Sequence, residues 1–397
     1  MLARVYRASR AYRILPFVAV LAVLLASGCG KEPRSAAGYL DTPRHHYENG
    51  LRFLDDKDLD RASREFDLAL EMDENYGPAV AGQGVVLAWR GDEDGAMDRI
   101  DDGLALARDD SEEMDALTAE LRAWAALGQW HEIEPEVLAA EGEDAFSDAL
   151  DLVDDNPSLD NPELYFFMGE VSLQAMDFAS AETMFRRAAE MGGPNEDRAE
   201  ARWSMVQDIS RAAPRTSIGR RIALVDRITR ADMAALLVEE LDLSSLFAPS
   251  ASAAFSPPGV QGASQTTQAR VTDIDGHPLR SDIEVVLAAG IRGLQPLQDG
   301  SFEPDAPMSR AEVALVLEDV IVRATNNPAL ATMFIGQRSP FADLRADHPA
   351  FNAVMVCTTR GLVAGDAAAG NFRPGDPYTG AEAVLSINRL RMELDRL

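Results

Sequence analysis

The longest apolar run of the chain stands near its start. Residues 14–26 carry no charge, and before them come Arg4, Arg7, Arg10 and Arg13 with no acid. A basic start, a short apolar core and a small-residue ending, Leu25-Ala26-Ser27-Gly28-Cys29, are the marks of a secretory signal. The run is too short to cross a bilayer core of about 30 Å as a helix. From residue 43 the apolar positions take helical spacing instead. Ala62, Phe66, Ala69 and Leu70 fall on one helix face, at i, i+4, i+7 and i+8. The pattern returns 34 residues later: Gly50 as Gly84, Ala62 as Ala96, Phe66 as Ile100, Ala69 as Gly103 and Leu70 as Leu104. It returns again at Gly169, Ala181, Phe185 and Ala188. Small residues let two helices approach, and a larger residue four positions on fills the space beside them. The spacing therefore predicts helical hairpins. A weaker unit covers residues 111–140, where Trp124, Gly128 and Trp130 keep their places but Ile133 and Val137 replace the usual small and aromatic pair. Residues 141–161 read as an acidic, irregular connector, and the array ends near Pro194.

A second period, of 70 residues, appears after residue 222. Asp273 returns as Asp343, Phe302-Glu303-Pro304 as Phe372-Arg373-Pro374, and Ser309 as Thr379. With one inserted residue, His277-Pro278 matches His348-Pro349, and Gly290-Ile291 matches Gly361-Leu362. A box of four residues stands at Thr229-Arg230-Ala231-Asp232, Ser309-Arg310-Ala311-Glu312 and Thr379-Gly380-Ala381-Glu382. Ser or Thr followed three residues on by an acid predicts a capping box that opens a helix. Pro278 and Pro349 fit a first helical turn. Gly290 and Gly361 fit the left-handed residue that ends a helix, with Ile291 or Leu362 packing back. Capping leaves Arg230 and Arg310 without a structural duty, so removing Arg310 is expected to be nearly neutral for folding. Residues 247–269, rich in Ser, Ala, Pro and Gln, read as a surface loop.

Net charge is −29, and the signal segment holds four of the basic residues, so the remainder is more acidic still. Such a chain repels nucleic acid and anionic lipid. Cys29 and Cys357 are the only cysteines. An exported chain without a disulfide staple must rely on packed cores.

Three resemblances add to this reading. The Ser27-Gly28-Cys29 ending resembles the lipobox of bacterial lipoproteins, which implies a mature chain that begins at an acylated Cys29 and is held to a lipid membrane. Gly30, rather than Asp, implies the outer membrane. The 34-residue units are similar to tetratricopeptide repeats. By position, that family implies a concave groove for a protein partner lined by Tyr47, Leu51 and Leu54, by Ala81, Val85 and Ala88, and by Phe166, Glu170 and Leu173. The alternative is that these residues are core between repeats. The 70-residue units resemble the S-layer homology domain. That family uses the box arginine in a groove for anionic cell-wall sugar, which makes Arg230 and Arg310 ligand candidates; the alternative is a bridge to a nearby acid. Gly380 departs from the box. Pro278 and Pro349 stand where the family has Trp, and the first unit shows only its second half.

The expected fold is mainly α: a tetratricopeptide-type helical solenoid followed by an S-layer-homology-like helical module of two full units and a half. The expected segments are a signal peptide at 1–28, a tether at 29–42, repeats at 43–212 and the module at 222–392, with units near 222–246, 270–323 and 339–392. The tether residues 30–43 can reach at most about 45–50 Å. His45, His46, His131, His277 and His348 form no metal motif, and no phosphate loop or nucleophile elbow is present. His277 and His348 recur with the unit and read as structural, and Cys357 reads as core. The expectation is an outer-membrane lipoprotein scaffold without catalytic residues, metal or cofactor. Its partners would be peptidoglycan or an anionic wall polysaccharide, and an unidentified protein held by the repeats. A rival is an accessory lipoprotein for assembly or secretion whose module is only a protein–protein surface. A third reading is a wall-modifying enzyme that uses an acidic pair.

Overall fold

The computed structural model describes residues 34–36, 38–39, 41–130, 133–247, 271–365 and 370–396. The signal segment, Cys29, His131 and residues 248–269 of the expected loop lie outside the described residues. Contacts divide the chain into one unit ending at Ser204 and another beginning at Met205. The described residues are mainly helical, and no described helix is long and apolar enough to cross a membrane.

The first unit is a series of antiparallel helix pairs: α1 (Pro43–Asp55) with α2 (Leu59–Met72), α3 (Gly77–Trp89) with α4 (Glu93–Leu106), α5 (Asp110–Leu127) with α6 (Pro135–Asp155), and α7 (Pro162–Gln174) with α8 (Phe178–Met191). α9 (Glu196–Ala212) follows. In three pairs the turn uses one device. A left-handed residue, Lys57, Gly91 or Met176, ends the first helix. The Asp after it, Asp58, Asp92 or Asp177, then accepts a backbone N–H three residues on, at 3.0–3.1 Å. That Asp caps the second helix of the pair.

Packing within each pair follows the predicted spacing. The face of Gly50 receives the ring of Phe66, that of Gly84 receives Ile100, and that of Gly169 receives Phe185. A Cβ on Gly84 would lie 2.8 Å from Ile100, and one on Gly169 would lie 2.7 Å from the Phe185 ring, so any side chain there forces the pair apart. Phe66 and Phe185 are fully buried, as are Ala62, Ala96 and Ala181. The expected acidic connector is instead mostly helix. α6 is 21 residues long because Leu138, Gly142, Ala145 and Ala149 still recur on one buried face beneath the surface acids. The end of the expected tether is also docked. The Arg34 N–H donates to the Glu71 carbonyl at 2.7 Å, and its guanidinium forks onto Asp41 at 2.6 and 2.9 Å.

The second unit contains α10 (Ser217–Ala223), α11 (Arg230–Ala235, continuing as a π turn over Leu236–Glu240), α12 (Leu243–Leu246), α13 (Arg280–Ala289), α14 (Arg310–Ala324), α15 (Phe351–Thr359) and α16 (Gly380–Leu394). All three boxes are closed capping boxes. Gly290 and Gly361 are left-handed, with Ile291 and Leu362 buried behind them. The prolines sit differently from the expectation. α13 and α15 begin at Arg280 and Phe351, so Pro278 and Pro349 precede the helices. There His277 and His348 turn the chain: each Nδ1 accepts the N–H two residues on, at 3.1 Å. Cys357 is fully buried, and burial pushes its thiol pKa up.

The residues preceding the three boxes close a ring. Met308 N–H donates to the Ile228 carbonyl, Ile228 N–H to the Tyr378 carbonyl, and Tyr378 N–H to the Met308 carbonyl, at 2.9, 2.9 and 3.1 Å. Three units thus surround a pseudo-threefold axis. The sequence half-unit gains a short first helix, α10. Its N-terminal turn is fixed by buried Glu240, which accepts from the Arg215 and Thr216 N–H groups at 2.9 and 2.8 Å. What the first unit lacks is the long loop: residues 224–228 alone join α10 to the box, whereas residues 290–308 do so in the second unit.

Candidate functional site

The loop of each full unit is built around one aspartate. Asp273 accepts the N–H groups of Phe302 and Glu303, at 2.9 and 2.6 Å. Asp343 accepts those of Phe372 and Arg373, at 2.8 and 2.7 Å. These bonds hold Glu303 and Arg373 left-handed. Burial opposes ionisation of Asp343, but the two N–H groups outweigh it and hold its pKa below the usual value. The loop formed in this way presents carbonyl oxygens to the box of the preceding unit.

Those carbonyls are what the box arginines hold. Arg230 donates to the carbonyls of Phe302, Gly293 and Gln295 at 2.7, 2.8 and 3.0 Å, and its guanidinium lies 4.7 Å from the Phe302 ring centre. Burial lowers its pKa. Arg310 donates to the Phe372 carbonyl at 2.9 Å, to Glu382 at 2.8 Å and to the Ala364 carbonyl. Its guanidinium lies over Phe372 and Tyr378, and the residue is only 4 % exposed. The expectation that Arg310 lacks a structural duty is therefore corrected. Each box arginine ties its own unit to the loop of the next, 54–72 residues away. Neither of the alternatives read from sequence, free ligand group or simple bridge to an acid, describes Arg230, whose partners are all carbonyls.

The departure at Gly380 follows from the same geometry. The third box faces the first unit, which has no long loop to hold. The Gly380 N–H donates to the Val225 carbonyl at 2.8 Å, and a Cβ at Gly380 would overlap the Ile222 carbonyl. An arginine there would have neither partner nor space.

Most partner-groove candidates of the first unit take the alternative weighed for them, core between repeats. Tyr47, Leu54, Phe166, Ala81, Val85, Ala88 and Leu173 are all at most 2 % exposed, and are packed core. Leu51 is half-buried. Glu170 is buried and accepts from Arg202 at 2.7 Å. A seam of charges missed by periodicity lies on the first helices of the pairs. Asp55 accepts from Arg122 of α5 and Arg198 of α9, and Arg44 pairs with Asp115. Arg198 covers Phe166 at 4.6 Å, and Arg122 covers Phe167 at 4.7 Å. Burial raises the pKa of Asp115 to about 6, against the pull of Arg44, and burial likewise raises that of Glu163. Partners 67–143 residues apart leave no local signal. No group of His, Cys, Asp and Glu suited to a metal ion occurs among the described residues.

The S-layer homology domain family model matches residues 272–314 and 340–384, the two units with complete loops. No curated protein and no solved structure matches the chain. The chain is mainly α-helical, a series of helical repeats followed by a module that contains S-layer homology domains. Domains of this family bind cell-wall polymers in the cell envelope.

Proposed function

We propose that the chain is a non-catalytic envelope scaffold: a lipoprotein anchored to the outer membrane through Cys29, with a tetratricopeptide-type repeat region for a protein partner and a C-terminal module that contacts the cell wall. The observation that carries the reading is the closed ring of three units coinciding with two family matches. The small-small-Cys ending at Cys29 supports the anchor. The docked Arg34 leaves a shorter free tether than residues 30–43 would give, which favours repeats held close to the membrane. Sedimentation of the purified chain with peptidoglycan sacculi tests the wall contact: the chain should pellet with sacculi and stay in solution without them. Cys29→Ser should stop acylation, and a variant that still fractionates with the outer membrane would sink the anchor.

A second reading, an accessory lipoprotein whose module is a protein–protein surface, draws on one observation. Arg230 and Arg310 are spent on loop carbonyls and Glu382 rather than left open to a sugar. Failure to pellet with sacculi would favour it.

A further inference from the structure

The two complete inter-unit junctions hold their arginines inside, and the third junction carries arginines outside. Residues 209–229 contain five arginines, Arg211, Arg215, Arg220, Arg221 and Arg227, against one acid, Asp226, in a chain of net charge −29. Arg211 is paired with Asp208. Arg215 uses its backbone N–H on Glu240, while the side chains of Arg215, Arg220, Arg221 and Arg227 are exposed and have no ion pair or carbonyl partner among the described residues. Most other arginines of the module are tied to a carboxylate or a carbonyl, as Arg280, Arg292, Arg323, Arg345 and Arg389 show.

Helix chemistry explains only part of this strip. Arg220 and Arg221 occupy the last turn of α10, where a cation is favourable to the helix dipole. Arg215 precedes the N-cap Thr216, where a cation is unfavourable, and Arg227 lies beyond the helix. α10 packs on α16, and the Gly380 N–H bonds to Val225 between Arg221 and Arg227. The strip therefore marks the junction that has lost the box arginine and the long loop.

We propose that Arg220, Arg221 and Arg227, with Arg215 at the start of the same segment, are the surface through which the module holds an anionic cell-wall polymer bearing carboxylate or phosphate groups. Guanidinium forks match such groups in pairs. An acidic molecule would otherwise be repelled by that polymer, so a local basic strip also fixes which face approaches it. This inference rests on the wall-contact reading.

The test is sedimentation of the full chain with lipid-free sacculi retaining their attached polymers, at several salt concentrations. Compared are wild type, R220S/R221S/R227S, and R52S/R64S/R186S, which removes the same charge from unpaired arginines of the repeats. The strip variant should bind at least about tenfold more weakly, keep its melting temperature, and lose most of the salt dependence. The repeat variant should bind like wild type. If wild type does not bind, the wall-contact reading fails. If wild type binds and both triple variants match it, or both weaken equally, the strip has no special role. A strip variant that keeps sacculi but loses anionic-lipid vesicles would make the surface a membrane contact and overturn the proposal. Should the triple variant not fold, the three single variants are measured in the same way, and full binding by all three overturns it.

Discussion

The two halves of this chain are both built from repeated helix pairs, yet they are fastened by opposite means. In the repeats the fastener is a side chain pressed onto a glycine 16 residues away in the same pair, as Phe66 on Gly50 or Phe185 on Gly169. In the module it is a guanidinium reaching carbonyls of the next unit, together with a ring of three backbone bonds. Short-range interlock joins the two helices of each pair, and the same ring can serve the next pair, since Phe66 also faces Gly82 of α3. Long-range fastening makes a closed ring in which each unit is finished only by its neighbour. An open series tolerates a weak member such as the α5–α6 pair. A ring demands compensation wherever a unit is cut short, and the loss of Arg at Gly380 together with the loss of the loop before Thr229 is that compensation.

The largest expected effect tests the interlock. Phe66→Ala empties a fully buried site and should cost about 3–5 kcal/mol. All four tryptophans, Trp89, Trp124, Trp130 and Trp203, precede Met205. Tryptophan fluorescence in urea should therefore register the loss, while the module's share of the circular dichroism change keeps its midpoint. A shift in both would mean the two regions do not unfold independently.

Arg310→Ala tests the ring and should cost roughly 2–3 kcal/mol, because the buried carbonyl of Phe372 loses its donor and the bonds to Glu382 and Ala364 are lost with it. Here the circular dichroism transition should move and the tryptophan transition should not. Arg310→Lys should rescue little, since one ammonium cannot fork onto three acceptors. A melting curve unchanged by Arg310→Ala would show that the backbone ring alone closes the module. Gly380→Ala complements it, because the overlap with the Ile222 carbonyl should cost about 1–3 kcal/mol at the third junction.

The contrast also explains what could be read from sequence. Interlock is local, so the 34-residue spacing already placed Gly50, Ala62 and Phe66 in contact positions. Capping is local too, and the boxes at Thr229, Ser309 and Thr379 are as expected. α6 escaped because its acids conceal the small residues Gly142, Ala145 and Ala149 that carry its helical period. For Arg310 the bridge to an acid, weighed from sequence, is present at Glu382; the carbonyl partners of Arg230 and Arg310 are not legible for a different reason, because every residue has a carbonyl and these lie 54–72 positions away. Tyr47 and Phe166, groove candidates by family position, are core, the alternative open from sequence. Over Phe166 and Phe167 lies a charged cluster from three separate helices, Asp55 with Arg198 and the buried Arg122. Family position supplied the residues but not what covers them.

The smallest expected effect sharpens the comparison at the start of the repeats, where the fastener can titrate. The ring is fastened by guanidinium groups, a kind of side chain that does not deprotonate in proteins, so it should be indifferent to pH. His46 does not share that property. Its Nδ1 lies 2.7 Å from Glu65 and its Nε2 lies 2.8 Å from Asp41, which also takes the fork of Arg34; Arg34 itself approaches Nε2 at 3.1 Å. Burial works against the charged ring, but the bonds to Glu65 and Asp41 outweigh it and raise the pKa above the ordinary 6.5. A raised folded value means the contribution is fully present below the unfolded pKa and is lost as pH rises through the folded one. Docking of Arg34 and Asp41 on α1 and α2 should therefore loosen as pH rises through the raised pKa of His46. The Arg34 N–H, bonded to the Glu71 carbonyl, reports it: its hydrogen-exchange protection factor, corrected for the intrinsic rate, should fall as pH rises. In His46→Asn the protection should be lower at acid pH and independent of pH above it. A wild-type protection factor that stays level as pH rises from below 6.5 into the alkaline range would show that the Arg34–Asp41 fork holds the segment without the histidine.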